Sequence, residues 1–384
     1  MKSKYLLLSC FLLSSCSVII PTIVPFHDIP QPTGIFPIGT RVFNWEDVNR
    51  EEWFTKSDED FRKIVVQIWY PAETVSGNPE PYLDYAQQRI KPISKQVELP
   101  PLLIRHIQEV QSNSFTNSTL KSSDKLYPLV IFSHGLGGMR MQNTIQMEEL
   151  ASHGYVLFAC DHTYDAGISI FPENRVIRNK TDIPKGISDK EKWGIREVQL
   201  GYRVGDVQFL LDEMEKGKYL PQSLRNSLEL DKIGIFGHSF GGATSVVVSL
   251  KDDRIDAALG LDAWFLPIPS TLIKQNMSIP FAHLGQVSWK EKDNYLKLDT
   301  LASSNSAQSL RFDVQGSTHY DFSDFSQFSK VSKKYGSGTI ASDRIRFIMN
   351  TTIRDFFDQY LKQSVSISLN DYKSMYPEII IKEY

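Results

Sequence analysis

The chain has 384 residues, 41% of them hydrophobic and 23% charged, an ordinary globular balance with apolar material for one large core or two smaller ones. A net charge of −3 supplies no polybasic field and argues against a nucleic-acid partner. Beyond the N-terminus no run of about 18 apolar residues occurs, so no transmembrane helix is expected in the body of the chain.

The N-terminus is distinct. Lys2 and Lys4 precede the apolar stretch Tyr5 to Leu13, which ends in Leu13-Ser14-Ser15-Cys16. A short basic region, a short apolar region and small residues read as a secretory signal. An apolar residue and two small ones directly before a cysteine resemble the cleavage box of bacterial lipoproteins. That resemblance implies removal of residues 1–15 as a signal peptide and acylation of Cys16. With Ser17 next, it further implies a lipid-anchored protein of the bacterial cell envelope, sorted to the outer membrane. A plain cleaved signal peptide is the alternative. Residues 16–38, with Pro21, Pro25, Pro30, Pro32 and Pro37, read as a membrane tether, leaving 39–384 as one folded domain. Of the three cysteines, Cys10 goes with the signal and Cys16 with the lipid. Cys160 remains as a core thiol in an apolar run, so the mature chain forms no internal disulfide.

In chain order, Arg62–Tyr70 alternates and stops at Pro71, predicting an early antiparallel strand. Residues 74–125 are polar and irregular, with a candidate helix near 99–111. Leu126–Ser133 predicts a buried strand, 141–153 a helix, and Tyr155–Cys160 a second buried strand. Residues 165–190 read as an excursion across the surface, and 195–216 as a long amphipathic helix. Further strands are expected at 232–236, 255–261, 279–286 and 309–315. Helices are expected at 243–250 and at 342–363, the latter opened by Ser342-Asp343. Short apolar strands alternating with helices predict an α/β fold, with a mostly parallel central sheet covered on both faces. Such sheets place ligands at the carboxyl ends of their strands.

The chemistry-bearing motifs fall at those ends. Gly237-His238-Ser239-Phe240-Gly241 follows a buried strand and opens a helix, the context of a nucleophile elbow in the α/β-hydrolase fold. Chain order in that fold is serine, acid, histidine, which leaves His283 and His319 as bases. His283 lies inside an apolar strand and reads as a core histidine. His319 lies just past strand 309–315 and is favoured. The acid is expected to be Asp262, at the end of an apolar strand, with Asp293 as runner-up; Asp252 and Asp253 read as solvated surface. The oxyanion hole needs the amide of Phe240 and one from the Gly-rich loop His134–Gly138, whose His134 reads as structural. Neither H-E-x-x-H nor CxxC spacing occurs, so no metal or other cofactor is expected.

Several stretches together resemble the platelet-activating-factor acetylhydrolase family, the plasma and intracellular type II enzymes. They are Ile68–Pro71 (IWYP), Phe132–Gly138 (FSHGLGG), Ala151–Tyr155 (ASHGY), Gly237–Thr244 (GHSFGGAT), Leu261–Pro267 (LDAWFLP) and Gly316–Phe325 (GSTHYDFSDF). The resemblance spans roughly 33–365. It implies a triad of Ser239, Asp262 and His319, and oxyanion donors on the amides of Leu136 and Phe240. The implied activity is calcium-independent hydrolysis of short or oxidised sn-2 acyl chains of phospholipids. Trp264 and Phe265, just past the acid, are expected to line the acyl pocket. Insertions near 85–125 and 165–195 are expected to form a substrate rim. The alternatives are a generic carboxylesterase, a polyester or dienelactone-type hydrolase of the same fold, or a non-catalytic binding lipoprotein.

Overall fold

The computed structural model describes residues 26–384 except 58–59, 335 and 365–367. The expected signal peptide and acylated Cys16 lie outside the described residues. The strands are β1 Ile38–Glu51, β2 Phe61–Pro71, β3 Ser114–Thr116, β4 Tyr127–Ser133, β5 Val156–Asp161, β6 Ile168–Phe171, β7 Arg175–Arg178, β8 Leu228–His238, β9 Ala257–Leu261, β10 Phe281–Gln286, β11 Ser309–Val314 and β12 Ile379–Glu383. Ten of them form a sheet in the order β12-β11-β10-β9-β8-β4-β5-β2-β1-β3, and β6 and β7 form a separate hairpin. The centre, from β5 through β4, β8, β9 and β10 to β11, is parallel. β2 runs antiparallel to both β5 and β1, and β12 runs antiparallel to β11.

Six longer helices connect or cover the strands: α1 Ala86–Gln96, α2 Thr144–Ser152, α3 Asp189–Lys216, α4 Phe240–Ser249, α5 Asp293–Ser304 and α6 Ser342–Phe357. The alternation of side chains along each central strand assigns its two faces. On β4, Leu129 and Ile131 join a core built with α3, α4 and α5, whereas Val130 and Phe132 join a core built with α2 and α6. Both faces are covered, which explains why these strands read as continuous apolar runs.

The differences from the sequence-based expectations are local. Ser188 and Glu191 form a capping box that starts α3 at Asp189, six residues before the amphipathic stripe begins. The helix expected at 99–111 is two short turns, Pro101–Ile104 and a 3₁₀ turn Arg105–Glu109. Helix α6 ends at Phe357 and continues as a π-helical turn over Asp358–Lys362. The described part of the expected tether, 26–37, is docked on the domain. Ile29 is buried, the Ile29 amide donates to the Gln111 carbonyl, and the Thr33 amide donates to Glu149 at 2.9 Å.

A third apolar cluster sits at one end of the sheet. It joins Ile29, Tyr82, Leu83, Ile90, Ile104, Ile107 and Val110 to Met141, Ile145 and Phe328, and so fixes the 82–110 insertion as a cap. Glu148 of α2 fastens the cap's return strand. Its carboxyl accepts from the Asn113 amide and side chain, each at 2.9 Å, and from the Ser114 hydroxyl. Burial raises the Glu148 pKa from the usual 4.5 to about 7 against these hydrogen bonds. A carboxyl with a raised folded pKa contributes stability that is full below its unfolded pKa and is lost as pH rises through the folded one. Urea unfolding of the wild type and Glu148→Gln should therefore show the wild type losing ground between pH 4.5 and 7, by on the order of 3 kcal/mol. A pH-independent difference would contradict the buried-acid reading.

Candidate active site

Ser239 lies between β8 and α4 with φ 56° and ψ −118°, a strained backbone for a residue with a side chain. Neighbouring strands hold it there. Its amide donates to the Leu261 carbonyl at 3.0 Å, and its carbonyl accepts from Gly242, Ala243 and, at 2.9 Å, Trp264. The flanking glycines are required by close approach. A Cβ on Gly241 would collide with the Ser133 carbonyl, and one on Gly242 with the Ala263 side chain.

Asp262 leaves the end of β9 with φ 40° and is fully buried. Its carboxylate accepts from His319 Nδ1 at 2.6 Å. It also accepts from the Gln286 amide at 3.1 Å and Nε2 at 2.9 Å, from Trp289 Nε1 at 3.0 Å and from the Tyr295 hydroxyl at 3.3 Å. Burial alone would raise the Asp262 pKa, but the hydrogen bond and charge of His319, with His283 and the Gln286 amide, hold the carboxyl below its usual range. An ionised acceptor at Nδ1 keeps the proton on that nitrogen and leaves Nε2 as the basic one. Asp293, the runner-up acid, is exposed in the first turn of α5. His283 is buried, with Nε2 accepting from the Ala263 amide at 3.2 Å.

The Gly-rich loop after β4 approaches the same point. The Gly135 amide donates to Gln142 Oε1 at 2.8 Å, that of Gly137 to the Asp165 carbonyl and that of Gly138 to the Gly135 carbonyl. Among the described residues these bonds leave the Leu136 amide without a protein acceptor, and the Phe240 amide opens α4, where no intrahelical acceptor exists. Arg203 braces the loop from below, donating to Asp165 at 2.5 Å, to Ser133 Oγ at 3.2 Å and to the His134 carbonyl. A cavity of about 320 Å³ opens at this point, lined by Ser239, His319, Leu136 and Gln142 and by apolar side chains of the cap.

The family model for platelet-activating factor acetylhydrolase, isoform II, matches residues 24–366. The chain belongs to this family. It is 24% identical to the platelet-activating factor acetylhydrolase of Cavia porcellus, over 92% of this chain and 84% of that one. It is also 24% identical to a probable 1-alkyl-2-acetylglycerophosphocholine esterase of Arthroderma benhamiae, over 66% of this chain and 65% of that one. A solved ferulic acid esterase from Streptomyces cinnamoneus has a TM-score of 0.76 at 24% identity, covering 92% of this chain and 99% of that one, which shows the shared α/β-hydrolase fold. The protein is an ester-hydrolysing serine hydrolase of the platelet-activating-factor acetylhydrolase type.

Trp264 and Phe265, expected at the acyl pocket, do not line this cavity. The Phe265 side chain is fully buried and its amide is held by Asn294 at 2.7 Å. Trp264 packs between Phe240 and Trp193. The chain turns at Asp262 and sends the Trp264 ring toward Phe240 and Trp193 and the Phe265 ring toward His283 of β10. The wall is made instead by Leu83, Ile93, Val97, Leu103, Ile104 and Phe328, with other residues. Of the two insertions expected at the rim, the first therefore contributes and the second, 165–195, lines none of this cavity.

Sequence reasoning missed the residues that serve Asp262. Gln286, Trp289 and Tyr295 lie 24 to 33 positions away and carry no motif. It also missed a second serine–histidine–aspartate array. Ser133 Oγ lies 2.9 Å from His162 Nε2, and His162 Nδ1 lies 3.0 Å from Asp206. All three are fully buried and Asp206 is paired with Arg62 at 2.6 Å, so the array supports the end of β4 rather than meeting substrate. Burial, with Arg203 nearby, lowers the His162 pKa to about 4 and keeps it neutral.

Loss of the Asp262 charge should leave His319 in the wrong tautomer. Asp262→Asn is expected to lower kcat on a p-nitrophenyl ester by about 10⁴-fold, while Asp293→Asn stays near wild type. The reverse ranking in steady-state assays would move the acid to α5.

Proposed function

We propose that Ser239 is the nucleophile, His319 the general base and acid, and Asp262 the residue that orients and stabilises the imidazole. The observation that carries the reading is the short Asp262–His319 hydrogen bond at the mouth of a cavity that Ser239 and His319 both line. Ser239 Oγ attacks the ester carbonyl as His319 Nε2 takes its proton. The tetrahedral oxyanion is received by the Leu136 and Phe240 amides, preorganised donors aimed at charge that exists only in the transition state. Collapse passes the proton to the leaving alcohol, and water attacks the acyl-enzyme by the same relay. Protein groups fill every role, and among the described residues no cluster of three potential metal ligands occurs, so turnover is expected to survive excess EDTA.

The substrate class we assign is a phospholipid with a short or oxidised sn-2 acyl chain. The acetyl esters named for the relatives support it, as does a small apolar cavity. Each methylene that the cavity cannot cover costs about 0.8 kcal/mol. With sn-2-labelled phospholipids, kcat/KM should fall steadily from acetyl to palmitoyl, and Ser239→Ala should lose turnover by several orders of magnitude. Equal rates on acetyl and palmitoyl would reject the substrate class. Cleavage of p-nitrophenyl esters alone would favour a generic carboxylesterase, and turnover by Ser239→Ala would reject the nucleophile.

We also propose that Cys16 carries the lipid, holding 39–384 as a catalytic domain at the outer membrane. Phe26 lines the cavity, and ten extended residues from Cys16 reach at most about 35 Å. An acylated Cys16 would thus keep the site within reach of the bilayer, as a multiply acylated anchor is stable. Cys16→Ser should abolish metabolic labelling by a clickable palmitate. Unchanged labelling would put the lipid elsewhere.

A further inference from the structure

Gln142 stands in the turn before α2 and faces three parts of the site. Its Oε1 accepts the Gly135 amide at 2.8 Å. Its Nε2 lies 2.8 Å from His238 Nδ1, and His238 Nε2 lies 3.0 Å from the carbonyl oxygen of His319. The Gln142 carbonyl in turn accepts the Asp324 amide at 3.1 Å, on the segment that follows His319.

The direction of every bond in this chain is determined by its ends. A backbone N–H only donates, so Gln142 must turn its oxygen to Gly135 and its NH₂ to His238. His238 Nδ1 then accepts, its proton sits on Nε2, and that N–H donates to the His319 carbonyl, which only accepts. One unbranched run of hydrogen bonds thus connects the peptide next to the Leu136 oxyanion donor, the residue before Ser239 and the backbone of His319. His238 is nearly enclosed, and burial together with His319 lowers its pKa to about 3, so it stays a neutral relay. Its ring also packs on that of His319, with centroids 4.5 Å apart.

We propose that Gln142 and His238 are positioning residues that set the distance between the oxyanion-binding Leu136 amide and the His319 imidazole. This rests on the catalytic roles assigned above. Neither side chain takes or gives a proton to substrate. Their effect is on geometry, where an error of about 1 Å can cost 10²-fold in rate.

The test is a double-mutant cycle of Gln142→Met and His238→Phe, assayed on a p-nitrophenyl ester beside Ser239→Ala. Each single variant should lower kcat by about 10- to 100-fold with KM within about twofold, as for an interaction expressed in the transition state. The double variant should cost no more than the worse single one. Gln142→Glu adds a readout that lost packing would not give. A carboxylate accepts from Gly135 but cannot donate to neutral His238; the new charge beside it favours the imidazolium, so activity relative to wild type should recover as pH falls and His238 takes a second proton. Additive costs, a change in KM alone, or a flat pH ratio for Gln142→Glu would overturn the link. If Ser239→Ala is inactive and the cycle is additive, only the link fails. If Ser239→Ala turns over, the catalytic reading fails first.

Discussion

The site depends on keeping one carboxylate ionised where no water reaches it. Asp262 is fully enclosed, and an unpaired charge there would be unstable. Its stability comes from donors contributed by two stretches of chain, His319 after β11 and the run from the end of β10 into α5 that carries Gln286, Trp289 and Tyr295. Those donors also fix where the next residues can go. The left-handed turn at Asp262 directs Trp264 against Phe240 at the start of α4, and the Trp264 amide closes on the Ser239 carbonyl. The acid therefore orients the histidine and, through three residues of chain, helps hold the serine in its strained turn.

The parallel sheet makes this arrangement rigid. β8 and β9 are adjacent and in register, so Ser239 and Asp262 emerge side by side, and the Ser239 amide is held by Leu261 across the same pair. Strain at Ser239 and Asp262 is tolerated because two apolar cores, one on each face, leave the strand ends little freedom. The side with greater latitude is the cap. It is joined to the domain by a smaller apolar cluster and by buried acids, Glu148 at one end and Asp324, whose carboxyl burial holds well above its usual range, at the other. The cap side of the cavity is thus the part of the candidate site least bound to the sheet.

The sheet and the strand–turn–helix around Ser239 were legible in the sequence, which also brought Ser239, Asp262 and His319 forward as candidates in that order. Apolar runs such as Leu129–Phe132 have one reading, because a strand buried on both faces leaves no polar position to confuse its period. The Gly237–Gly242 motif was legible because only glycine fits where backbones touch. Segments with weaker patterns were misread at their margins. A capping box lengthened α3, and the helix expected at 99–111 opens at Pro101 but tightens into a 3₁₀ turn from Arg105. The lining of the cavity and the partners of the candidate triad come instead from contacts between distant segments. Trp264 and Phe265 sit close to Asp262 in sequence yet do not line the cavity. Gln142, Gln286, Trp289 and Tyr295 carry no local signal and reach the site only when loops from different strand ends converge. A side chain's partner across the sheet depends on the path of backbone between them, and that path is a property of the packed whole rather than of any window of sequence.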